Sequence, residues 1–249
     1  MRHGGISNAA ESLGAFMSAS PSLVQASAGE PSRTSVSTSD SDPLGWVVLG
    51  SSVVAMLAFA GLDLFVGLPA TGAGSTISAY VYTDGAWVFR GAVLALVVAA
   101  AVLLLTLNRR RVVRWWSPTS VLLALTILGL LAVAVFPKTD WAVGDSLPGQ
   151  LHRLGSMVAF LAPPFATIAL TRRRGAAQRL HLAARGAFWS SLSVFAVLVG
   201  TIALVVVAVN AGGAWWQAFP LGLIERLVVG FELLAMALLG FWIARPTTT

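Results

Sequence analysis

From residue 44 onward the chain is almost entirely taken up by six apolar runs, at about 44–66, 86–108, 118–136, 151–171, 186–209 and 221–243. Each is close to the ~20 residues that cross a ~30 Å hydrocarbon layer as a helix. In lipid a helix satisfies its own backbone hydrogen bonds, whereas an open strand leaves a row of them bare. The runs therefore predict an all-α fold, a polytopic membrane bundle of six transmembrane helices whose first partner is the lipid bilayer. Composition agrees. Only 10% of the residues are charged and 57% are hydrophobic, where a soluble domain carries about 25% charged residues.

The polar remainder is concentrated at the front. Residues 1–43 are rich in Ser, Ala and Thr and bury too little apolar surface to offset the entropy of ordering, so a disordered cytoplasmic tail is expected. No apolar core of about 7–15 residues follows Met1, which argues against a signal peptide. Met17 is an alternative start. Residues 244–249 form a short second tail.

Orientation follows from where the positive charge lies. The gap after the second run holds Arg109, Arg110, Arg111 and Arg114, and the gap after the fourth holds Arg172, Arg173, Arg174, Arg179 and Arg185. The other three gaps contain a single cation, Lys138. Positive charge accumulates on the cytoplasmic side, so both clusters and both chain ends are expected there. Tryptophan gives an independent check. Trp46, Trp115, Trp116, Trp189 and Trp242 fall at the expected inner boundaries, and Trp87, Trp141, Trp215 and Trp216 at the outer ones, as an aromatic belt requires. The net charge of +6 thus belongs to membrane topology. No nucleic-acid partner is expected, because no basic polar face exists.

The absence of cysteine excludes disulfides, thiol nucleophiles and thiolate metal sites. Arginine supplies all but one of the basic residues, and alanine is abundant. That bias points to a GC-rich bacterial genome and hence to a bacterial cytoplasmic membrane.

Ionisable groups inside the runs cost ~2.5–3.5 kcal/mol at a helix centre, so each calls for a reason. They gather on the outer side: Asp63 late in the first run, Arg90 early in the second, His152 and Arg153 at the start of the fourth, and Glu225 and Arg226 at the start of the sixth. Only Glu232 lies deep. Three helix starts share a glycine followed by an arginine about one turn inside: Gly85 to Arg90, Gly149 to Arg153 and Gly222 to Arg226. Arginines at one depth would surround an anion such as a lipid phosphate. The plainer alternative is that each snorkels separately to the headgroups.

Two helix faces add detail. His152 and Ser156 are one turn apart, and their face continues to Pro163, beside Pro164. Each proline removes a backbone donor, so a kink or break is expected there. Glu225 and Glu232 are two turns apart on one face, a descent of ~10.5 Å. That spacing suits a polar pocket floor or a proton relay, or else a carboxylic acid bonded to a neighbouring helix. His3, His152 and His181 fall on different levels, so no metal or haem site is expected and no cofactor is implied. Phosphate-binding glycine loops, serine-hydrolase elbows and zinc-protease helices are missing.

Phe136-Pro137-Lys138-Thr139-Asp140, followed by Gly149, His152, Phe160 and Pro163, resembles the central signature of the family called domain of unknown function 998. Gly222-Leu223-Ile224-Glu225-Arg226 resembles that family's final-helix motif. The likeness spans roughly residues 44–243. The chain departs from the pattern by placing Lys138 between the proline and the threonine, and Glu232 has no match in it. The resemblance implies a six-helix bacterial membrane protein without an assigned activity, and it singles out His152, Glu225 and Arg226 as motif positions.

The leading expectation is an uncharacterised membrane protein with an outward-facing polar pocket for a lipid headgroup or small anionic solute. Arg90, Arg153 and Arg226 would hold the anion, with Asp63 and Glu225 balancing charge and His152 and Glu232 close by. One alternative is an intramembrane lipid-modifying enzyme with His152 as general base and Glu225 orienting it. Without a nucleophile or metal, that is the weaker reading. Another is a non-catalytic scaffold for a partner subunit.

Overall fold

The computed structural model describes residues 42–68, 75–139, 144, 146–172, 182–212 and 220–245. The leader, residues 1–41, and the terminal residues 246–249 lie outside the described residues, as do Trp141, Trp215 and Trp216.

Local sequence sets where the helices begin. Asp42 caps α1 (Pro43–Phe65) by accepting from the Leu44 N–H at 2.9 Å, with proline in the first turn. Helix α2 (Ala86–Arg109) begins after Gly85. Ser117 caps α3 (Pro118–Val135) as its Ser-Pro start predicts, accepting from Ser120 N–H at 3.3 Å. In both capped helices a side-chain oxygen takes up an orphan N–H, and proline gives up none that was needed. Ser146 caps α4 (Leu147–Thr171), which moves its start four residues ahead of the apolar run and draws Gly149 into the first turn. Helices α5 (Leu182–Asn210) and α6 (Leu221–Ala244) complete the set. All six are long and apolar enough to cross a membrane. A short 3-10 helix, Ile77–Tyr82, lies between α1 and α2, in a gap to which the sequence reading assigned no element.

The six helices close a ring in chain order, each packing on its neighbours, with α6 returning to α1. Helices α4 and α6 also touch directly, which leaves α5 outside their seam. Two seams are tight because glycine removes the side chain between backbones. A Cβ on Gly45 of α1 would fall 2.2 Å from Ala244 N of α6, and one on Gly240 of α6 would fall 2.6 Å from Leu49 N. Gly129 of α3 and Gly155 of α4 meet in the same manner, a Cβ on either falling under 3 Å from the other's carbonyl oxygen. Close backbone approach replaces the hydrophobic drive that lipid does not supply.

Both ends of the ring are tied. At the end carrying Arg109–Arg114, Arg110 bonds Asp42 (Nη2–Oδ2 2.6 Å) and donates to the Ile243 carbonyl at 3.0 Å. One side chain thus joins α1, α2 and α6 and takes up an orphan carbonyl of the α6 terminus. The opposite end carries most of the ionisable groups within the spans.

The double proline does not break α4, which is helical from Leu147 to Thr171 with Pro163 and Pro164 inside it. Packing holds it: Pro164 is fully buried, and the Gly129–Gly155 contact fixes the helix against α3. What the prolines do remove is the usual i+4 donor for the carbonyls of Ala159 and Phe160.

Candidate functional site

At the end opposite the Arg109–Arg114 loop, a polar layer covers an apolar cavity. The layer is built around Arg226, in the second turn of α6. Its guanidinium meets Asp63, near the end of α1, in a two-point fork, with Nε to Oδ2 at 2.9 Å and Nη2 to Oδ1 at 2.6 Å. Its remaining nitrogen, Nη1, donates to the Ser75 carbonyl at 2.9 Å and the Gly222 carbonyl at 2.8 Å. A planar fork suits a carboxylate in a way that a lysine would not.

Tyr80 completes this group by donating to Asp63 Oδ1 at 2.5 Å. Its side chain is buried, and burial pushes the phenol up to about 12, reinforced by the Asp63 carboxylate that accepts its proton and opposed by Arg226. Gly222 N–H donates to Ser75 Oγ at 3.0 Å, and a Cβ on Gly222 would fall 2.1 Å from the Ser75 carbonyl oxygen. Only glycine lets the 75–82 segment lie this close on α6. Glycine's placement before the arginine is therefore a packing requirement.

Glu225, beside Arg226, holds the same segment from below. Its Oε2 accepts from Ile77 N–H at 2.7 Å, so it supplies an acceptor to the exposed N–H at the start of the 3-10 helix. Lys138 approaches from the loop after α3. It donates to Thr76 Oγ1, and its carbonyl accepts from the Tyr82 hydroxyl. Burial pulls the Lys138 ammonium below the usual lysine range, partly offset by the Glu225 carboxylate. The lysine that interrupts the family signature therefore ties the 75–82 segment to the α3–α4 side.

Below the layer is a cavity of about 80 Å³, several times the ~10–15 Å³ that one water needs. Its walls come from α1, the 3-10 helix, α2, α3, α4 and α6, and are apolar except for Ser78, Thr126, Ser156, Glu225 and Glu232. No α5 residue lines it. Phe59, Phe89 and Phe160 contribute aromatic rings, the first two with centroids 6.2 Å apart. Glu232 lies two turns below Glu225, and its buried Oε1 has no hydrogen-bond partner among the described residues. The two glutamates thus share one cavity wall, as their spacing suggested.

The other expected residues are placed differently. Arg90 and Arg153 are exposed side chains and do not line the cavity, so the three arginines do not ring a common point. His152 is buried, with Nδ1 2.9 Å from the Phe136 carbonyl. A carbonyl only accepts, so the proton sits on Nδ1, while Nε2 is buried without a partner among the described residues. His152 also lies outside the cavity lining, although Ser156, which donates to the His152 carbonyl at 2.9 Å, lies within it. Among the described residues no three His, Asp or Glu side chains group as metal ligands.

Sequence reading missed Ser75, Thr76, Ile77 and Tyr80. One signal was present: the chain's two tyrosines fall in a single short gap, beside hydroxyl residues, where a polar strap over a bundle end would be built.

The class is thus a six-helix bundle suited to the bilayer, with an ion-paired lid over a carboxylate-bearing cavity. The chain belongs to the family described as protein of unknown function (DUF998), whose family model matches residues 53–242. The match takes in the cavity, the lid and both motif segments. No curated protein and no solved structure shows significant similarity to the chain.

Proposed function

We propose that this membrane protein is a binding protein whose cavity accepts a lipid or another small membrane-soluble molecule beneath the Arg226 layer. The observation that carries the reading is the cavity itself. A bundle evolved only to fill space would close a void of about 80 Å³ over an unpartnered carboxyl, because both the void and the lone polar atom cost stability. Of the two parts of the sequence expectation, lipid and anion, the geometry favours the first. Arg226 already faces Asp63, and the ionisable side chains on the cavity wall among the described residues are acidic.

The positive-inside rule, applied to the Arg-rich loops, supports an outer position for the opposite end and its cavity in a bacterial cytoplasmic membrane. Catalysis by His152 draws no support, since its ring lies outside the lining.

The test is native mass spectrometry of gently solubilised protein, comparing wild type with Val229→Trp, which fills the cavity from α6. A discrete bound molecule in the wild type, lost in the variant, is expected. Ligand-free protein in both samples overturns the reading.

A further inference from the structure

The polar groups of the cavity are all of one kind, and this limits what they can receive. The Thr126 hydroxyl donates to the Leu122 carbonyl at 2.9 Å, and Ser156 donates to the His152 carbonyl. Ser78 donates toward Thr76 Oγ1 at 3.4 Å, and the Ile77 N–H is taken by Glu225. Each hydroxyl has therefore used its one proton elsewhere and offers only lone pairs. Glu225 and Glu232 add carboxylate oxygens, and Pro163 and Pro164 leave the Ala159 and Phe160 carbonyls on this wall short of their usual donors. Among the described residues no basic side chain lines the cavity. The wall is an acceptor surface set in an apolar and aromatic shell.

We infer that the ligand is a hydrophobic ammonium: a compact apolar body bearing a protonated primary amine that seats its N–H groups on Glu232. This deepens the binding-site reading and rests on it. An ammonium supplies three donors and the positive charge that would hold Glu232 ionised, where its buried Oε1 has no hydrogen-bond partner among the described residues. The phenylalanine rings add a second attraction for a cation. A carboxylate or phosphate would bring negative charge to a wall whose serine and threonine protons are already committed. A bare metal ion would leave the apolar majority of the wall unused. The ammonium can belong to a free amine or to an aminolipid headgroup, and the chemistry of recognition is the same.

The experiment uses full-length protein in phosphatidylcholine nanodiscs, titrated calorimetrically with n-hexylammonium, 1-hexanol and hexanoate, with empty discs subtracting partition into lipid. Hexylammonium should bind at least tenfold more tightly than 1-hexanol, with hexanoate weakest. In Glu232→Gln the preference for ammonium over alcohol should fall about tenfold while 1-hexanol binding persists. The wild-type ligand series stands alone if that variant does not fold. Equal binding of alcohol and ammonium, or stronger binding of hexanoate, overturns the ammonium assignment while leaving a binding cavity intact. Absence of binding by all three overturns the cavity as a ligand site. Once ammonium binding is seen, phosphatidylethanolamine in the discs identifies the source: competition with hexylammonium assigns an aminolipid, and its absence a free amine.

Discussion

Helices α5 and α6 are neighbours of 29 and 24 residues, equally able to cross a membrane, yet they do different work. In α6 the buried positions run from Gly222 to Ala244, and the helix touches α1, α2, α4 and α5. In α5 the buried positions stop at Val194, and residues 195–210 contain none. Beyond Arg185 in its first turn, α5 carries no charge, while α6 carries Glu225, Arg226 and Glu232. Apolarity therefore makes a helix span, but small residues and paired polar groups make it pack. The cavity follows the packed helix: α6 supplies both its carboxylates, and α5 supplies nothing.

The sharpest way to break this contrast is to add the same bulk to each helix. Gly240→Leu drives a side chain into the α1 backbone and should destabilise the bundle by on the order of 3 kcal/mol. Gly200→Leu on α5 meets nothing within 4 Å and should change stability by less than ~0.5 kcal/mol. Reversible unfolding in mixed micelles measures both, and equal losses would erase the distinction.

Next in size is the charged layer. Arg226→Ala strands Asp63, and with both side chains about a third exposed the expected loss is about 2 kcal/mol, below that of a fully buried pair. Arg185→Ala on α5 should cost under ~0.5 kcal/mol. Asp63→Asn combined with Arg226→Ala should recover part of the loss in a double-mutant cycle; strict additivity would mean the two side chains do not interact.

Tyr80 sharpens the comparison by titration. Its folded phenol ionises near 12, against 10.0 for a free tyrosine. A raised acid favours the protonated folded form, so its contribution is full below pH 10 and fades as pH rises toward 12. Ultraviolet titration of the two tyrosines should show a late step that moves down in Asp63→Asn. A single step near 10 would contradict the Asp63 bond. Smaller than the loss at the charged layer, Ser190→Ala removes the donor that joins α5 to the Phe231 carbonyl of α6 at 2.7 Å, with an expected cost of ~0.6 kcal/mol.

Six long apolar helices were legible in sequence because hydropathy and length act locally. Ser117 caps α3 as its Ser-Pro start requires. The boundary that moved most at a capped start, that of α4, did so because Ser146 caps from outside the apolar run. The layer was only half legible. Spacing on one helix put Glu225 and Glu232 on a common wall, but nothing local couples Asp63 to Arg226, 163 positions apart. Depth alone made Arg90, Arg153 and Arg226 look alike, whereas rotation about each helix axis sends only Arg226 into the bundle. That rotation is fixed by partners on other helices, Gly222 against Ser75 among them, which no single run reveals.

The return of α6 to α1 sets an order of events during synthesis. The Gly45 notch and the Asp42 tie to Arg110 lie at the front of the bundle, while Gly240, Ile243 and Ala244 belong to its sixth helix and follow the other five in chain order. Until that helix follows, the notched face of α1 is uncovered and α2 is its packed neighbour. Ring closure therefore waits for the sixth helix, and a chain stalled before residue 240 would leave that face open.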